Sequence, residues 1–125
     1  DGFDLAVIST GLMTGEVLKA ALTLKKQGIA VRVINMASIK PLDEELVLRA
    51  ARDCKKVLTV EEHSIIGGLG EAVCSLLSEK LPTPVRRIGV PDQFGHSGTG
   101  WQVLADFGLD AAHLLEVMRD MIKNG

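Results

Sequence analysis

Val57-Leu-Thr-Val-Glu-Glu-His-Ser-Ile-Ile-Gly-Gly-Leu-Gly-Glu-Ala-Val73 contains, in seventeen residues, a strand, a turn and the start of a helix. Four β-prone residues run into two acids and a histidine, then a glycine cluster, then an apolar pattern with helical spacing. A buried strand that ends on ionisable groups beside a helix N-terminus is the arrangement in which open α/β sheets place their binding crevices.

The same alternation extends in both directions. Upstream, Asp4–Ser9 is a continuous apolar run, the pattern of a strand covered on both faces. Thr10-Gly11 ends it, and a helix follows from Thr14 with Val17, Leu18, Ala21, Leu22 and Leu24 as its apolar face. Lys25 and Lys26 suit the negative end of that helix, and Gly28 suits a left-handed C-cap. Ala30–Asn35 is the second strand. Ser38–Asp43 leads into a helix that Asp43 caps, with Glu44 and Glu45 in its first turn and Leu42 placed to staple onto Val47. That helix runs to Asp53, and the third strand is Lys56–Glu61. Downstream, a helix spans Leu69–Lys80, Pro82 and Pro84 bracket the exit, and Val85–Gly89 is the fourth strand. A glycine-rich loop, Val90–Gly100, and a possible helical turn at Gln102–Ala105 precede a last helix. This helix starts at Asp110, with Leu109 facing Leu114, and buries Leu114, Val117, Met118, Met121 and Ile122. The order β-α-β-α-β-α-β-loop-α predicts a three-layer α/β/α sandwich: right-handed crossovers put helices on both faces of a mainly parallel sheet. The expected strand order is 2-1-3-4.

The 125 residues fit one domain, 1–125, with one core. Apolar residues make up 46% but aromatic ones only 3%, so that core is aliphatic. A net charge of −2 without a basic cluster argues against nucleic-acid binding, which relies on phosphate neutralisation. No apolar run approaches the ~20 residues of a membrane span, and no signal peptide is evident. Cys54 and Cys74 lack metal or redox spacing and read as reduced thiols of a cytoplasmic protein. The chain starts at Asp1 without an initiator methionine and reads as a domain of something longer.

Three places hold residue types capable of chemistry. Amides around Gly67-Gly68-Leu69-Gly70 could hold an anion, although the spacing matches neither G-x-G-x-x-G nor the P-loop; the alternative is a tight turn with close packing. Glu61, Glu62 and His63 could form an acid–base pair, or the histidine could merely fix the loop. Asp92, His96 and Ser97 are the residue types of a hydrolytic triad, but they crowd one loop and the G-x-S-x-G elbow is missing; with Phe94, Gly95 and Gly98 the segment reads better as a docking surface. His113 reads as a surface residue, and no cluster has metal-ligand spacing.

Ser38–Asp43, Val60–His63 with Gly67–Val73, and Arg87–Gly95 occur in an order and spacing that resembles the C-terminal domain of the transketolase family of thiamine diphosphate enzymes. The likeness covers nearly the whole chain and is nearest to the transketolase C-terminal section, with deoxyxylulose phosphate synthase and 2-oxo acid dehydrogenase β subunits as rivals. It implies that thiamine diphosphate and Mg²⁺ are held in the full enzyme between two other domains, one binding the diphosphate and one the pyrimidine. This domain would then bind no cofactor, would be inactive alone and would help form a homodimer. His63, with Glu62, is placed by the resemblance near the active-site mouth. Gly67, Gly68, Gly70, Asp92, Phe94, Gly95 and His96 become turn and interface residues. Two departures stand out: the family often has an antiparallel edge strand before Asp4, and its loop often carries Glu where this chain has His96. An autonomous anion- or nucleotide-binding module, and a surface docking an acyltransferase core, are the readings from other classes.

Overall fold

The computed structural model describes residues 4–9, 13–36, 43–61, 68–88 and 111–124. Four strands, β1 (Leu5–Ser9), β2 (Val31–Asn35), β3 (Val57–Val60) and β4 (Val85–Ile88), form a parallel sheet in the expected order β2-β1-β3-β4. Among the described residues, four helices accompany them: α1 (Met13–Lys25), α2 (Glu44–Cys54), α3 (Leu69–Lys80) and α4 (Ala111–Asn124). Every residue of β1 and β3 is buried, which explains why Asp4–Ser9 reads as a continuous apolar run and Val57–Val60 as a buried strand.

Side-chain alternation divides the core. Leu5, Val7, Leu58 and Val60 face α1 and α4, where they meet Val17, Ala20, Leu24, Leu114, Met118 and Met121. Ala6, Ile8 and Val57 face α2 and α3, against Val47, Ala50, Val73, Leu76 and Leu77. The register places Thr59 of β3 beside Ile8 of β1 and Arg87 of β4.

The apolar face of α1 differs from the expected one. Val17, Ala20 and Leu24 point inward, whereas Leu18 and Leu22 are 46% and 58% exposed. A helix with leucines around much of its circumference does not reveal its buried side by hydropathy; the small Ala20 lets the helix lie close to the sheet. Leu18 and Leu22 instead line an open groove of about 320 Å³ with Ile29, Val31 and Val33 along β2.

Caps and tethers fix the remaining angles. Asp43 accepts the Leu46 amide at 3.2 Å, as its position predicts. Gly28 is left-handed (φ 81°), also as expected, and Lys55 adopts the same region at φ 64° after α2. Glu16, only 5% exposed, reaches from α1 to accept the first amide of α4, from Ala111, at 3.1 Å. Its other oxygen pairs with Lys19 at 3.0 Å. Helix α4 is observed from Ala111. At the other end of α4, Lys56 Nζ donates to the Met121 and Ile122 carbonyls at 2.8 and 3.1 Å, a favourable place for a cation.

Both cysteines are free thiols. Burial pushes the Cys54 thiol up, with Arg32 partly offsetting it, so Cys54 stays protonated at neutral pH and reacts slowly. Iodoacetamide at pH 8 is expected to label the half-buried Cys74 before Cys54, as peptide mapping would read. Equal rates would contradict this burial. No described helix is long and apolar enough to cross a membrane.

Candidate functional site at the carboxyl edge of the sheet

Glu61 directly follows β3, and its amide still pairs with the sheet, donating to the Ile88 carbonyl at 3.0 Å. Its side chain is 1% exposed. Oε1 accepts the Leu69 amide at 2.9 Å and Oε2 accepts the Gly70 amide at 2.7 Å. These are the first two amides of α3, so the carboxylate lies on the positive end of the helix. The N-cap residue, Gly68, has no side chain with which to cap locally. The anion that this helix start can hold is therefore the chain's own Glu61.

Gly70 allows α3 to approach the sheet this closely. A Cβ there would lie 2.6 Å from Arg87 Cδ and 3.0 Å from Thr59 Oγ1. Arg87 is exposed and can swing aside; Thr59 is fully buried in β3 and cannot. The Thr59 hydroxyl is itself buried without a hydrogen-bond partner among the described residues. A buried, unmade hydrogen bond costs about 1–3 kcal/mol. Thr59→Val keeps the shape and removes the hydroxyl, and is expected to stabilise the fold by about 1 kcal/mol in urea unfolding. Destabilisation would mean that the hydroxyl is satisfied in solution.

A second polar group lies at the same edge between β1 and β2. Ser9 Oγ and the Thr14 hydroxyl are 2.8 Å apart, and Thr14 donates to Asn35 Oδ1 at 3.1 Å. This chain of bonds ties the start of α1 to the ends of two strands.

Of the candidate site residues singled out in the sequence, Glu61, Gly68 and Gly70 are described, and all three belong to the cap of α3. Glu62, His63, Gly67, Asp92, Phe94, Gly95 and His96 lie outside the described residues, as do Gln102–Ala105 and the Leu42 and Leu109 halves of the two staples. His113 is exposed on α4, as expected. Sequence reasoning missed the role of Glu61, which figured only as one of two carboxylates that could pair with His63. The available signal was an acid at a strand end followed by a helix whose cap position is glycine. No group of three His, Cys, Asp or Glu side chains among the described residues has the geometry to hold a metal ion.

The sheet order and the crossovers define a doubly wound parallel α/β domain, with one helix start at its carboxyl edge already closed by an internal carboxylate. Residues 1–114 match the family model described as "Transketolase, C-terminal domain", and the chain belongs to that family. It is 41% identical over 121 residues to a 6-deoxy-6-sulfo-D-fructose transketolase subunit of Clostridium sp. (strain MSTE9), covering 97% of this chain and 38% of that protein. A 1-deoxy-D-xylulose-5-phosphate synthase of Geobacter sulfurreducens is 44% identical over 114 residues, covering 90% and 18% respectively. Among solved structures, a split-gene transketolase described as an inactive β4 tetramer superposes with a TM-score of 0.90 at 44% identity, covering 98% of this chain and 40% of that one. The chain thus spans 38% of the first relative's length and 18% of the second's.

Proposed function

We propose that this chain is the accessory C-terminal part of a transketolase-type enzyme that moves two-carbon ketol units between sugar phosphates, using thiamine diphosphate and Mg²⁺ held by other domains. The Glu61 cap carries this reading. The carboxylate occupies the Leu69 and Gly70 amides that would otherwise face a diphosphate, and its charge opposes a second anion there. These residues do not fit the cofactor, and no catalytic step passes through them.

The domain acts by packing against the pyrimidine-binding domain and supporting a homodimer of the full enzyme. His63, with Glu62 beside it in sequence, faces the mouth of the neighbouring active site. Asp92, Phe94, Gly95 and His96 contribute to the same junction. The subunit naming of the Clostridium relative and the β4 assembly named for the solved structure support a multi-chain enzyme.

The test is reconstitution. The chain is produced with and without the polypeptide carrying the diphosphate and pyrimidine domains, and transfer from a ketose phosphate to an aldose phosphate is measured. Activity is expected only from the assembled enzyme. Thiamine diphosphate binding by the chain alone, seen by calorimetry, would overturn the reading. The Geobacter relative supports a second reading, and formation of 1-deoxy-D-xylulose 5-phosphate by the same assembly would select it.

A further inference from the structure

We draw no further inference here: the strongest candidate, the open apolar groove that Leu18 and Leu22 of α1 form with Ile29, Val31 and Val33 beside the edge strand β2, is an unpartnered apolar face, and nothing in the structure shows what covers it.

Discussion

Glu61→Ala is expected to destabilise the fold by about 3 kcal/mol, because two buried helix amides lose their only described acceptor and each orphan costs about 1–3 kcal/mol. Domains of this size are stable by about 5–15 kcal/mol, so the loss is a large fraction of the whole. Urea unfolding followed by circular dichroism at 222 nm would measure it. Glu61→Gln should cost roughly half as much, since one bond survives. A cost below about 1 kcal/mol for the alanine variant would mean that water reaches these amides and that the carboxylate is dispensable to the fold.

Leu58→Ala should cost about as much for a different reason. Leu58 is fully buried in β3, on the face that meets α1 and α4. Its surroundings are the side chains of a strand pair and two helices, which cannot collapse far into the space left behind. Leu-to-Ala changes at such sites cost about 2–5 kcal/mol, combining lost transfer energy with a cavity, and about 3 kcal/mol is expected. The same unfolding experiment reads it. An unchanged m-value with a lower midpoint would place the loss in the folded state. A cost under about 1 kcal/mol would show that Met118 and Met121, both flexible, fill the gap. Because Leu58 lies in β3 and Glu61 directly follows it, their combined cost need not be additive.

The fold was legible because its signals are local. Strands buried on both faces are mostly aliphatic, and β1 and β3 are, with Ser9 and Thr59 as the exceptions. Asp43 and Gly28 punctuate helices where a cap and a left-handed turn are needed. Right-handed crossovers then leave few sheet orders to choose from. Three things were not legible. The buried side of α1 depends on which small residue the sheet admits, and Ala20 rather than Leu18 or Leu22 faces inward. The left-handed Lys55 carries no glycine or asparagine to announce it. Glu61 and Glu16 bond to amides eight or more residues away, and nothing in a carboxylate's own neighbourhood distinguishes a distant cap from a solvated acid. Of the candidate site, Gly68 and Gly70 read as turn residues; the structure places Gly68 at the N-cap and Gly70 in the first turn of α3, against the Glu61 carboxylate.

The Glu61 cap has a consequence for how this surface behaves among the small anions of a cell. A carboxylate linked to the amides it binds acts as a ligand at very high effective concentration, of the order of millimolar or above for short tethers. Inorganic phosphate, nucleotides and sugar phosphates must displace it before they can reach α3. The helix start is thus privately occupied, closed to metabolites by a ligand the chain carries itself.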